Sequence, residues 1–349
     1  MSTTNLDHHD LSEALAGGLM RESVMERIWL IDQFELPIFD RCARDTTGNR
    51  YYEWTIDELG AATGPATPNA KVDGADVTTD ESSIGTREGA HCQIMTKLVI
   101  VSHRANNANS IGRQGSLSYQ VMRAQQRLRR DIEAHFMSDV AAVKGTDSVA
   151  GVTAGVFSWI KTNTVFGATG SDGGFNTTTL VTDAPTAGTK AALDESEIRD
   201  VAQNVYEEGG STDCLIGNPT IIRALSEYLF TSSARVATQT NYKQGEGKDQ
   251  SSTAYGAVTV FVTDFGQVLK LIPNRLMPVS AGGAAESHLL FLDPRGVRCA
   301  MLQGFQTRPL ARTGLAEKRL VSADLALAVT NEKMQGAIRD LDDTAAVIA

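Results

Sequence analysis

The chain holds little that would equip it for catalysis or for gripping a polyanion. Its four cysteines, Cys42, Cys92, Cys214 and Cys299, are widely spaced with no CxxC pair, which argues against a zinc module or a secreted disulfide scaffold and leaves buried or reduced thiols. Basic residues are the minority, 32 against 42 acidic for a net charge of -10. No global positive field therefore draws the chain onto nucleic acid or anionic lipid. No stretch approaches the roughly 18 apolar residues of a membrane helix. The opening MSTTNLDHHD has neither the basic start nor the apolar segment of a secretory signal, so synthesis and folding are expected in the cytoplasm.

Catalytic motifs are missing as well. Gly245-Glu246-Gly247-Lys248 lacks the upstream glycine of a phosphate loop, and Asp249 stands where Ser or Thr would bind magnesium. Gly167, Gly170, Gly173 and Gly174 neither follow a long buried strand nor open a helix, and read as turn glycines. His8 and His9 beside Asp10 have no distant third ligand. His91, His103, His135 and His288 occur without HExxH, a GxSxG elbow or a Cys/His spacing. Asp57, Glu58, Asp80, Glu81 and Glu88 fall in or beside a polar loop, where hydration keeps carboxylates ionised and makes them contacts rather than acid and base. The sequence offers no catalytic residue, no metal site and no cofactor site.

What remains is a chain of 349 residues, 42% hydrophobic and with 31 glycines against 9 prolines, long enough for two domains or for one core with large excursions. Residues 11–31 form a loose helical stripe interrupted by Gly17-Gly18, a broken or mobile arm that Leu36-Pro37 ends with an extended step. Tyr51–Ile56 alternates like a strand, and Cys92–Val101 reads as its longer partner. Between them the excursion from Gly60 to Gly89 has too few large apolar residues for a core of its own, so only a neighbour could order it.

A helix begins at Ser116 or Ser118 and runs to about Val140, with Leu117, Val121, Ala124, Leu128, Ile132 and Phe136 along one face. Its other faces carry Arg123, Arg127, Arg129 and Arg130 beside Asp131 and Glu133, a solvated or subunit-facing stripe. The Thr- and Gly-rich region up to Thr189, with its apolar word Val156–Ile160, suggests short strands and a surface loop. A capped helix Asp194–Glu208, a strand Cys214–Ile216 and a helix from Pro219 make an α/β unit. Strands follow at Val258–Val262, Val268–Ile272, Leu289–Leu292, Arg298–Leu302 and Leu320–Val329, before a helix-like charged tail from Asn331 to Asp343.

This order of arm, long two-stranded loop, long helix, α/β insertion and returning strands resembles the Hong Kong 97-type capsid subunit. Local words carry the resemblance to tailed-phage major capsid proteins across most of the chain. They are Tyr52-Glu53-Trp54 with Asp57 and Leu59, Glu88-Gly89, Gln93-Ile94 with Lys97 and Val101-Ser102, and Leu128–Glu133 on the long helix. Val262–Gly266, Leu310-Ala311 with Gly314 and Lys318, and Asn331-Glu332 complete the series.

The resemblance implies an α+β fold with an N-terminal arm at 1–45, an extended loop with flanking strands at 46–115 and a spine helix of the peripheral domain at 116–150. An axial domain would follow at 151–285, and returning peripheral strands with the C-terminal segment at 286–349. It implies a structural, non-catalytic subunit that self-assembles into hexamers and pentamers of an icosahedral or prolate head around double-stranded DNA. Partners would be a separate scaffolding protein, a portal and decoration or cement proteins, with no sequence-specific DNA contact and no membrane. Assembly contacts are placed at Tyr52, Trp54, Asp57, Lys71, Glu88, Arg123, Arg127, Arg130 and Glu133, and hinges at Gly17, Gly18, Gly60 and Gly89. Lys71 is the one loop lysine placed for the inter-subunit isopeptide bond that some relatives form, with an ordinary surface lysine as the plainer reading. Two alternatives stand beside the phage head: the shell of an encapsulin-like nanocompartment, and a hydrolase or binding domain whose long loop covers a pocket.

Overall fold

The computed structural model describes residues 34–60, 70–76, 82, 84–108, 116–232, 260–277, 287–312, 314–342, 345, 347 and 348. The arm expected over 11–31, with Gly17 and Gly18, lies outside the described residues.

Two sheets organise the fold. The first has four strands in the order β1-β12-β13-β4. These are β1 (Ala43–Thr46), β12 (Val297–Pro309), β13 (Ala316–Val329) and β4 (Gln93–Ser102). The second has six strands in the order β5-β14-β11-β8-β10-β9. They comprise β5 (Thr164–Val165), β14 (Gly336–Leu341), β11 (Ser287–Leu292), β8 (Cys214–Gly217), β10 (Val268–Pro273) and β9 (Val260–Val262). Two small ribbons stand apart, β2 (Tyr51–Ile56) with β3 (Thr86–His91), and β6 (Gly174–Asn176) with β7 (Val181–Asp183).

The helices follow the sequence periodicity. After a short α1 (His103–Asn107), helix α2 spans Ser116–Phe136 and buries Ala124, Leu128, Ile132 and Phe136 at steps of four residues against the first sheet. It ends four residues before the expected Val140, because the Ser138 hydroxyl and backbone N–H turn back onto the His135 carbonyl. Helix α3 (Val156–Trp159) is a buried turn where a strand was expected; its apolar run faces the core on every side. Helix α4 (Glu195–Glu207) starts at Asp194, whose carboxylate accepts the Ser196 N–H at 2.8 Å. Helix α5 spans Pro219–Ser232.

Three expectations need revision. Tyr51–Ile56 pairs with Thr86–His91, while Gln93–Ser102 pairs with β13 in the first sheet. Cys92 is the corner between the two: its N–H donates to the Arg50 carbonyl at 2.8 Å as the chain leaves the ribbon. The expected helical tail is instead a 3-10 turn (Glu332–Met334) followed by β14, all six of whose residues are buried. Arg339 and Asp340 gave that stretch its amphipathic look, yet both are buried and partnered through part of their polar atoms. Arg339 reaches Asp139 and stacks on Phe157 and Phe166, and Asp340 accepts the Gly167 and Gly188 N–H groups. Finally, β11 and β14 fall in the segment 286–349 but join the second sheet, where β11 pairs with both β8 and β14.

One continuous core runs from the arm's end (Leu36, Ile38, Phe39) through α2 and the first sheet to Ile216, Leu290 and Ala337 on the near face of the second. The far face of the second sheet packs on α4 and α5 through Ile198, Val205, Ile221 and Leu225. Each fully buried side chain of this size contributes about 1.5–3 kcal/mol over its exposed state.

Candidate assembly surface

The ribbon β2–β3 stands on a pedestal built from its own chain. The Tyr52 hydroxyl donates to Asp45 on β1 at 2.7 Å, holding that carboxyl below the usual range with help from the Thr46 N–H and Arg298. Trp54 donates its indole N–H to the Thr330 carbonyl at 3.1 Å and lies 5.5 Å from the Trp159 ring. Glu58 meets Lys333 at 3.0 Å. Tyr52 and Trp54, expected as contacts, therefore hold the ribbon's base to its own body.

Beyond the base the described residues are open. Asp57, Glu58, Gly60 and Lys71 are exposed, and Leu59, Val72 and Ile84 are 101, 80 and 97% exposed. The segment from Asp57 to Glu88 carries Asp57, Glu58, Asp73, Asp76, Asp80, Glu81 and Glu88 against Lys71 and Arg87, an acidic excess. Exposed apolar groups on an acidic projection are unsuited to folding inward and suited to lying on another surface.

Glu88, in register with Trp54, is half-buried, and burial followed by the nearby Glu332 carboxylate pushes its pKa up to about 7. Gly89, expected to be a hinge, is instead a close approach: a Cβ there would sit 2.4 Å from the Tyr51 ring. Gly60 has open space around it among the described residues.

On α2, Arg127 is exposed and Arg123 and Arg130 are half-buried. Lys97 on β4 pairs with Asp131. Glu133, expected on the surface, is 0% exposed. It accepts the Ile38 and Phe39 N–H groups at 3.0 and 2.8 Å and the Asn274 amide at 2.8 Å, so it serves its own chain and cannot reach another; burial raises its pKa.

Strand β4 lies at the rim of the first sheet, and its outer row Ile94, Leu98 and Ile100 is 70, 54 and 55% exposed. An open groove of about 410 Å³ follows its edge, lined by Lys97–Ser102 with Gln120, Ala124 and Arg127. Long apolar edges of this kind are normally covered in the working assembly. Among the described residues no group of three or more His, Cys, Asp or Glu could hold a metal ion, and no helix is long and apolar enough to cross a membrane.

The sequence reading missed Lys333, Glu332 and Thr330 as the seat of the ribbon. The word Asn331-Glu332 pointed there, but a helix assignment hid its role.

Comparison with known proteins agrees with this architecture. A family model described as SU10 major capsid protein matches residues 2–342. The major capsid protein of Escherichia phage Phieco32 is 23% identical over 335 residues, covering 87% of this chain and 89% of that protein. Among solved structures, the capsid of a native GTA particle superposes with a TM-score of 0.59 at 12% identity, covering 97% of this chain and all of that one (100%). A chain of Mycobacterium phage Bobi gives 0.56 at 12% identity over 92% and 95% of the two chains. The SrpI encapsulin of Synechococcus elongatus PCC 7942 gives 0.55 at 12% over 93% and 94%. The fold is the Hong Kong 97 type that the order of elements implied. The match along nearly the whole sequence settles the family: this chain belongs to the SU10 major capsid proteins.

Proposed function

We propose that this subunit builds the head of a tailed phage as hexamers and pentamers around double-stranded DNA, with each ribbon lying across a neighbouring subunit. The observation that carries this is the exposure of Leu59, Val72 and Ile84 beyond a fixed base, uncovered by any other of the described residues. Ordering such a segment loses conformational entropy, which apolar burial on a neighbour offsets. The acidic projection also fits a basic seat, and Arg123, Arg127 and Arg130 on α2 supply one. Asp57, Lys71 and Glu88 remain our candidates for contacts from the projection.

The role is structural and non-catalytic, and assembly takes place in the host cytoplasm with a separate scaffolding protein, a portal and decoration or cement proteins. A chain of net charge -10 is suited to lining a DNA container without gripping phosphates that must later leave. We take 1–45 as arm, 46–115 as extended loop, 116–150 as spine and 151–285 as the bulk of the axial domain, completed by β11 and β14.

Deleting residues 62–86 tests the ribbon's role: a folded subunit that forms no closed shells in negative-stain microscopy is the expected result, and normal particles would overturn it. The likeness to SrpI keeps the nanocompartment as the second reading. Shells holding an enzyme and lacking a portal vertex would favour it.

A further inference from the structure

Resting on the shell reading, we propose that Lys333 is an electrostatic latch that sets the angle of the β2–β3 ribbon against the second sheet before any neighbour is met. Lys333 sits in the turn that carries the chain from β13 in the first sheet to β14 in the second. Its ammonium lies 3.0 Å from Glu58, two residues beyond the end of β2, and 3.4 Å from Glu208, which caps the C-terminus of α4. One cation thus joins the outer end of the pedestal to a helix of the other sheet.

The turn is held firmly enough to aim that cation. Glu332 accepts the Lys161 and Thr162 N–H groups at 2.8 and 3.0 Å, as well as the Thr162 hydroxyl. Asn331 accepts the Lys333 N–H at 3.1 Å, and the Asn163 amide donates to the Lys333 carbonyl at 2.8 Å. With its backbone pinned from two sides, Lys333 has only its side-chain rotamers left to order in meeting both carboxylates.

The head groups themselves are open to water: the side chains of Lys333, Glu58 and Glu208 are 27, 56 and 42% exposed. Ion pairs of this exposure are weak and screened by salt. Tyr52 and Trp54 hold the ribbon deeper in, so releasing Lys333 lets the ribbon swing about that fixed base without detaching. A strong lock would impose one angle, whereas a weak one gives a default that a neighbouring subunit can override.

The test is hydrogen–deuterium exchange on the full-length, unassembled subunit, comparing wild type with Lys333→Met, Glu58→Gln and Glu208→Gln at about 0.05 and 0.5 M salt, on either side of effective screening. The expected result is exchange roughly 1.5- to fivefold faster at amides of 51–58 and 86–91 for Lys333→Met and Glu58→Gln at low salt, with α2 and β13 unchanged. High salt should bring the wild type to the same rates. Unchanged exchange in these variants, or acceleration spread evenly over the body, would overturn the latch. Should Lys333→Met not fold, Glu58→Gln decides alone, because that side chain lies outside the core. This readout does not depend on assembly. Wild-type subunits that never form shells would remove the shell reading only, and normal shells with unchanged exchange would remove the latch only.

Discussion

Ile38 and Glu133 stand 95 positions apart, and the Ile38 N–H donates to the Glu133 carboxylate at 3.0 Å in a site without solvent. Glu133 there acts as a second backbone for the turn at 37–41, taking the N–H groups that Pro37 and the tight geometry leave without helical partners.

Glu133→Ala would bury those donors unpaired. We expect a loss of about 2–4 kcal/mol, with Glu133→Gln losing less because its amide oxygen still accepts. Scanning calorimetry of the subunit checks it; an unchanged melting temperature in Glu133→Ala would contradict the assignment.

Glu88 gives the ribbon's base a pH dependence. Its folded-state pKa of about 7 lies above the ordinary 4.5, so the folded chain holds this proton more tightly than the unfolded one. The resulting stability is complete below pH 4.5 and is lost as pH rises through 7. Glu88→Gln should flatten the stability profile over that window, by well under the roughly 3 kcal/mol that an unscreened shift of this size would give, since water screens the half-buried group. Denaturant melts at several pH values read it directly, and parallel profiles for the two proteins would show that Glu88 titrates normally.

Gly89→Ala drives a methyl into the Tyr51 ring. Because the outer end of the half-buried Tyr51 side chain can turn aside, a cost of about 0.5–1.5 kcal/mol is expected. Removing the ring as well, in Gly89→Ala with Tyr51→Ala, should recover most of the increment due to the clash. Additivity of the two substitutions would mean that they do not meet.

The rim of β4 separates folding from association. Leu98→Lys with Ile100→Lys alters side chains already 54 and 55% exposed, so subunit stability should change by no more than about 0.5 kcal/mol. Sedimentation should show subunits that no longer form shells. Shells of normal yield would exclude this row from the contacts.

Much of this fold was legible in the sequence where a single physical rule dominates. The four-residue apolar steps of α2, the Asp194 cap of α4 and Pro219 opening α5 each act locally, and each appeared as read. Failures came where burial overrode pattern. In Gly336–Leu341 the charges of Arg339 and Asp340 suggested a wet helix face, yet partners up to 200 residues away neutralise or bind them inside. Thr86–His91 has too few apolar residues to announce a strand, so Tyr51–Ile56 was assigned to the run beyond Cys92. The ribbon's exposure was readable from its composition, but its seat on Lys333 was not, since no local rule links position 58 to position 333.

Strand order also governs when the two sheets of this subunit can close. β13 lies between β12 and β4, and β14 lies between β11 and β5, so each sheet receives an interior strand from the stretch 316–341. Neither sheet can close until that stretch is in place, and its pairings span sequence separations that make folding slow.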